Sequence, residues 1–204
     1  MTPAWALLPA SRVDEAARRL LGWRIVAGDV TIRLTEVEAY SGLGEDPASH
    51  AHHRRTPRND IMFGRAGRLY AYFTYGMHWC LNVVCGEEGQ AAAVLLRAGE
   101  VVEGVEQARA RRGPVSDRDL ARGPARLAAA LGLDGAAYGA DLLAADSVVR
   151  LEQPTGPVGA VEQGPRVGVT SAKDRPWRFW LAGEPTVSVY RPHTPKRRAK
   201  VQES

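Results

Sequence analysis

Two carboxylates stand two residues apart near the end of the stretch VTIRLTEVEAY (30–40). If 30–38 is a strand, Glu36 and Glu38 share one face and Val37 takes the other. A glutamate at a strand end, followed directly by a Gly/Pro-rich loop, can stand at the mouth of a pocket and polarise a water molecule as general base. The plainer reading of either residue is a solvent-facing strand carboxylate. The loop that follows, AYSGLGEDPASHAHHRRTPRN, supplies His50, His52 and His53. Their spacing fits no common zinc pattern, so no metal is expected. One of them could instead hydrogen-bond a ligand or a phosphate.

Further along, RLYAYFTYGMHWCLN (68–82) crowds Tyr70, Tyr72, Phe73, Tyr75 and Trp79 together in a chain that is only 7% aromatic. Alternation puts Tyr70 and Tyr72 on one face of a strand over 69–74. Tyr75 and Met77 fall at the turn into a second strand over 78–85. A rigid ring at an exposed tip can wedge between stacked bases, and Tyr72 can serve as a stacking platform. The segment 54–68 carries five arginines, among them Arg54, Arg55 and Arg58. They could hold flanking phosphates, while Asn82 could read a base edge. The competing interpretation is an ordinary aromatic sheet face with one surface tyrosine. Neither a GxxxxGK[ST] phosphate loop nor a GxSxG elbow is present, and CLNVVC is not a close metal or redox pair.

These groups must be positioned by a chain of 204 residues with 45% hydrophobic content, enough for one well-packed domain. No apolar run approaches the ~20 residues of a membrane span. No secretion signal is read at the N-terminus, and two cysteines in apolar surroundings, Cys80 and Cys85, fit a cytoplasmic setting without disulfides. The net charge of +4 comes from the tail 191–204, because residues 1–190 hold 22 basic and 22 acidic groups. Residues 109–126 form a second arginine-rich stretch, read equally as a nucleic-acid contact or a solvated face. A capping box at Ser11–Asp14 predicts a helix to about Leu21. Further helices are expected over 100–112 and 122–133. Strands are expected over 23–26, 30–38, 69–74, 78–85 and 92–98, with short ones at 147–151, 166–170, 177–181 and 186–190. Residues 152–165 read as a loop. The expected architecture is one α/β (α+β) domain over 1–192 with a curved, mostly antiparallel or mixed sheet, flanking helices and a protruding hairpin. A basic, disordered tail is expected over 193–204.

TEVEAY (35–40), TPRN (56–59), MFGRAGRLYAYFTYGMHWCLNVV (62–84), AAVLLRAGEVVEG (92–104), RGPARLAAALGL (122–133) and RVGV (166–169) together resemble the alkyladenine DNA glycosylase family, the mammalian type of 3-methyladenine DNA glycosylase, also found in bacteria. The resemblance runs in order from about residue 5 to 192. It implies a monofunctional enzyme that flips an alkylated or deaminated purine from duplex DNA and hydrolyses its N-glycosidic bond, as a monomer, without a cofactor, in the bacterial cytoplasm at the nucleoid. It also implies a fold like the C-terminal domain of methionyl-tRNA formyltransferase. Glu38 would activate the water, held with Arg97 and the backbone carbonyl of Val167. Tyr40, His50 and Tyr72 would enclose the flipped base, with His52 as the alternative to His50 because the loop lengths around it depart from the family pattern. Tyr75 would fill the vacated stack, and Asn82 would exclude guanine by crowding its 2-amino group. His78 and Trp79 replace other aromatics of the family just after the tip. The alternative from another class is a non-catalytic nucleic-acid-binding domain of the same fold, a damage sensor or tRNA binder.

Overall fold

The computed structural model describes residues 2–192; the expected tail at 193–204 lies outside the described residues. The chain enters its first helix, α1 (Val13–Leu20), through a 3-10 turn. The capping box expected at Ser11 does not form. Arg12 is the cap residue, without a side-chain capping bond, and its N–H donates to the Pro9 carbonyl. That turn already satisfies a backbone donor that a serine cap would have served. Val13, Ala16, Ala17 and Leu20, spaced for one helical face, are buried against the sheet, while Asp14 and Glu15 at the start and Arg18 and Arg19 at the end complement the helix dipole.

β1 (Arg24–Ala27) and β2 (Val30–Tyr40) form a hairpin. β3 (Leu69–Thr74) and β4 (His78–Val84) form a second, and β5 (Ala93–Glu103) returns antiparallel to both β4 and β2. After α2 (Val105–Arg112) and α3 (Pro124–Leu131) come β6 (Val149–Glu152), β7 (Val161–Gly164) and β8 (Arg178–Leu181). The strand order is β3-β4-β5-β2-β1-β6, with β8 also on β2 and β7 on β8, and each of these pairings is antiparallel. The domain is therefore α+β with a curled antiparallel sheet, and among the described residues no parallel pair contributes to it. α3 packs on β4 and β5, with Pro124 opening it and a left-handed Gly132 closing it. No described helix is long and apolar enough to cross a membrane.

Four further expectations are corrected. Residues 100–103 extend β5 rather than begin a helix, since Glu100 and Val101 pair with Arg33 and Ile32. Helix α2 starts only after Gly104, whose φ of +72° and close approach to the Asp29 carbonyl suit a residue without a side chain. β7 falls inside the expected loop 152–165. Residues 166–170 are not a strand, because Gly168 takes φ +71°. Residues 186–190 are not a strand either; the Ser188 N–H is taken by a buried carboxylate, Glu36.

Candidate active site

The central strand β2 changes parity partway along. Its core-facing residues are Val30, Ile32 and Leu34, then Val37 and Ala39. The switch coincides with irregular register against β5 between Leu34 and Val37. Leu34 pairs with Gly99 and Glu36 with Ala98, leaving Thr35 as an extra residue; Val37 then pairs with Leu96, leaving Arg97 as the extra residue on β5. A bulge of this kind re-aims side chains. Without it, continued alternation from Leu34 would drive Glu36 and Glu38 into the apolar core. The same point is where β1 ceases to be the neighbour of β2 and β8 replaces it.

Both glutamates are 0% exposed, so neither is a solvent-facing strand carboxylate. Glu36 is surrounded by donors: Arg97 Nε at 2.8 Å, Arg178 Nε at 2.7 Å, the Ser188 N–H at 2.6 Å and Ser188 Oγ at 2.9 Å. Burial pushes its carboxyl up, but the Arg97 and Arg178 guanidiniums and the Ser188 amide outweigh burial and hold it below the ordinary glutamate value. Glu38 is different, because it borders a cavity of about 320 Å³. Its Oε2 accepts from the Tyr40 hydroxyl at 2.7 Å, its Oε1 accepts from the Val167 N–H at 2.7 Å, and Arg97 Nη1 lies 3.4 Å from Oε1. A carboxylate offers about four acceptor sites, so this fixed group retains capacity for a water. The contact of Val167 with Glu38 is made by its amide.

The same cavity gathers Tyr40, His50, Tyr72, Asn82, Arg97, Val167 and Tyr75 with Glu38. Its size is at the lower end of the about 300–1,000 Å³ typical of small-ligand sites. Burial, then the Glu38 charge, raises the Tyr40 phenol well above its usual value; burial does the same for Tyr72. His50 is at the open side, its ring 4.6 Å from Tyr72 and edge-on to it. His52 is not a wall of the cavity and packs on His53 instead. Asn82 is buried and donates from Nδ2 to the Tyr70 carbonyl at 3.0 Å. Cys80, also a wall, is a free thiol raised by burial, and Cys85 is free and buried.

Tyr70, which sequence does not single out for the pocket, lines it and is the hydrogen-bond partner of His50. Its hydroxyl is 2.8 Å from His50 Nδ1. Burial pushes that phenol up to about 12, so it keeps its proton at neutral pH. Where the hydroxyl donates to Nδ1, the proton of a neutral His50 is on Nε2; in the other tautomer Nδ1 donates to the hydroxyl oxygen. Burial, and next the Arg58 charge, lower the His50 pKa below the ordinary value. The neutral ring is thus the form the fold favours. Its contribution to stability is complete above about 6.5 and is lost as pH falls through the folded-state value. An NMR titration of His50 is expected to show a midpoint below about 6.5; a midpoint above it would contradict this environment.

The β3–β4 tip carries Tyr75 and Met77, 83% and 66% exposed. The Met77 N–H closes on the Thr74 carbonyl, and φ is +53° at Tyr75 and +69° at Gly76. Positive φ at both central positions is the pattern of a type I′ hairpin turn. Left-handed backbone costs an ordinary L-residue about 1–2 kcal/mol, and a bulky one is an outlier there. The tyrosine is therefore held at the tip against conformational preference and gains no burial in return. Tyr75→Gly is expected to raise the unfolding free energy by about 0.5–1 kcal/mol, measured by thermal melting. A loss of stability would mean that the ring belongs to the fold.

The three arginines expected on phosphates are partly engaged within the protein. Arg58 donates to the Phe73 carbonyl at 3.1 Å and lies 5.6 Å from the Tyr72 ring, bracing the hairpin. Arg55 pairs with Asp60 at 2.5 Å on the surface, and Arg54 is exposed. The wider stretch 109–126 is laced with ion pairs to Asp117 and Asp119.

A fixed, buried carboxylate stands at one wall of an aromatic slot, beside a hairpin with a solvent-facing ring, an arrangement that can hold a planar group against a general base. The family model for methylpurine-DNA glycosylase matches residues 8–185. A protein of Nocardia farcinica provisionally named 3-methyladenine DNA glycosylase is 53% identical over 183 residues, 86% of each chain. One of Streptomyces avermitilis with the same name is 49% identical over 205 residues, 97% of this chain and 96% of its own. One of Mycobacterium tuberculosis is 50% identical over 181 residues, 86% of this chain and 88% of its own. The chain belongs to the methylpurine-DNA glycosylase family, whose members are DNA-repair hydrolases of N-glycosidic bonds.

Proposed function

We propose that this glycosylase draws an alkylated or deaminated purine nucleotide out of duplex DNA into the 320 Å³ cavity and releases the base by direct hydrolysis, leaving an abasic site. The observation that carries the reading is Glu38, fully buried, held by Tyr40 and Val167, and bordering the same cavity as the Tyr72 and His50 rings. Chemistry at the anomeric carbon requires the nucleotide outside the helix, at an unstacking cost of a few kcal/mol that is least for damaged bases. Tyr75 offsets part of that cost by occupying the gap. Tyr40, His50 and Tyr72 enclose the extruded ring, and Asn82 crowds the 2-amino group of guanine. Glu38, with Arg97 and the Val167 carbonyl, orients the attacking water and takes its proton; its charge also stabilises the oxocarbenium character that develops on the sugar. Among the described residues no lysine is a wall of the cavity, which favours water over an amine as nucleophile. Alkylation at N3 or N7 makes the base a cation that leaves readily, whereas hypoxanthine and ethenoadenine need more assistance. Arg54, Arg55 and Arg58 approach the phosphates beside the lesion.

The test is a labelled duplex series with one lesion each, cationic and neutral purines side by side, incubated and then treated with hot alkali. Strand breaks at the lesion are expected. A duplex series that stays intact throughout, despite binding, would make the chain a binder rather than an enzyme.

A further inference from the structure

One ion pair outside the cavity joins three separate parts of the site. Asp46, in the loop after β2, and Arg166, before Val167, are both 0% exposed at their side chains. The contact is two-pronged: Arg166 Nη1 reaches Asp46 Oδ2 at 2.6 Å and Nη2 reaches Oδ1 at 2.7 Å. Nη1 also donates to the carbonyl of Ala39 at 2.9 Å, the residue between Glu38 and Tyr40. The guanidinium lies over the Tyr40 ring at 4.6 Å and near Trp177 at 5.4 Å. On its other side Asp46 accepts from the Ala48 N–H through Oδ1 at 3.2 Å and from the Ser41 N–H through Oδ2 at 3.4 Å. That turn delivers Pro47, Ala48, Ser49 and His50 to the cavity wall. The residue after Arg166 is the one whose amide donates to Glu38.

We propose that the Asp46–Arg166 pair is a positioning element of the active site, fastening the His50 loop and the Val167 segment to the end of β2 so that the Val167 amide and the Tyr40 hydroxyl are presented to Glu38. Neither residue lines the cavity, so neither touches the substrate. Stability alone is a weak reason for such a pair, because well-packed apolar residues of similar volume commonly serve a protein interior as well or better. What an apolar pair lacks is direction. The planar fork of an arginine fixes the carboxylate, a backbone carbonyl and a ring face relative to one another. A displacement of about 1 Å in a catalytic group can slow a reaction about 100-fold.

This inference rests on the glycosylase reading, and its test separates the two. Three variants are compared with wild type: Asp46→Asn, Arg166→Lys, and the double variant Asp46→Leu with Arg166→Met. Each is measured for melting temperature, lesion-duplex affinity and single-turnover release of hypoxanthine at saturating enzyme, well below its own melting point. The double variant is expected to be folded, to bind within about threefold of wild type and to release base about 10–100-fold more slowly. A purely structural pair would show recovery of rate along with stability in the double variant, and that result would overturn the assignment. So would failure of all three variants to fold, which would make the pair a stability element. A crystal structure of the double variant reads the geometry without activity. The Val167 amide is expected beyond hydrogen-bond reach of Glu38, and an unchanged contact overturns the proposal. If wild type releases no base from any lesion, the glycosylase reading fails, and the crystal structure still decides this one.

Discussion

Glu38→Gln is expected to reduce base release by about 10²–10⁴-fold, the usual contribution of a positioned general base, with lesion-DNA affinity within a few-fold of wild type. The amide matches the carboxylate in shape. Its one oxygen can accept from either the Val167 amide or the Tyr40 hydroxyl, which now meet Glu38 through separate oxygens. It cannot accept a proton from water. The substitution leaves Arg97 its stronger contact, the 2.8 Å bond to Glu36, so the fold should survive. Single-turnover alkali cleavage and anisotropy read the two quantities separately. A mutant that retains more than about a tenth of the wild-type rate would remove Glu38 from the chemistry.

The second large effect concerns stability. Glu36→Ala is expected to destabilise the domain by about 3–5 kcal/mol, the range seen when one partner of a buried ion pair is removed. Arg97 and Arg178 are 8% and 5% exposed at their side chains and would be left facing each other, with Glu38, 3.4 Å from Arg97, as the one remaining carboxylate beside them. The pH dependence has a definite sign. Burial pushes the Glu36 carboxyl up, the two guanidiniums and the Ser188 amide draw it down further, and the folded value ends below the unfolded one. Its stabilisation is present above an ordinary glutamate value of about 4.3 and is lost as pH falls through the folded value. Urea unfolding between neutral and acid pH should show this decline in wild type, and Glu36→Gln should flatten it. An alanine variant within about 1 kcal/mol of wild type would refute the account.

Much of the architecture is legible in local pattern, and the exceptions have physical causes. The strand expected over 30–38 carries a partial period-2 signal, and the aromatic hairpin is marked by alternation on either side of its turn. The parity change in β2 is also written in the residues, since Val30, Ile32 and Leu34 are followed by Val37 and Ala39. β7 has the sequence VEQG, with no alternation to betray it, and it exists because β8 offers an edge. TVSVY (186–190) alternates like a strand, yet its amide at Ser188 serves Glu36 better than a ladder would. The site divides in the same way. Tyr75 at a turn and arginines near a hairpin can be read from spacing. Glu38 meeting Val167 spans 129 positions, which spacing cannot bridge, and only the likeness to a family drew those residues together. Arg178, Asp46 and Arg166 escaped notice because a charged residue in a sequence is ordinarily a surface residue. Here they are interior and matched in opposite charges.

The stitching of β2, β5 and β8 through Glu36 has a consequence for how the enzyme opens and closes. In many enzymes the reactive group belongs to a loop that unfolds locally at little cost. Here the strand bearing Glu38 is central and covered on both faces, and its neighbours are tied to it by charge as well as by backbone bonds. Amides along β2 should therefore exchange with solvent deuterium only through unfolding of the whole domain, while those of the β3–β4 tip exchange freely. Loss of catalytic geometry on heating would then coincide with melting rather than precede it.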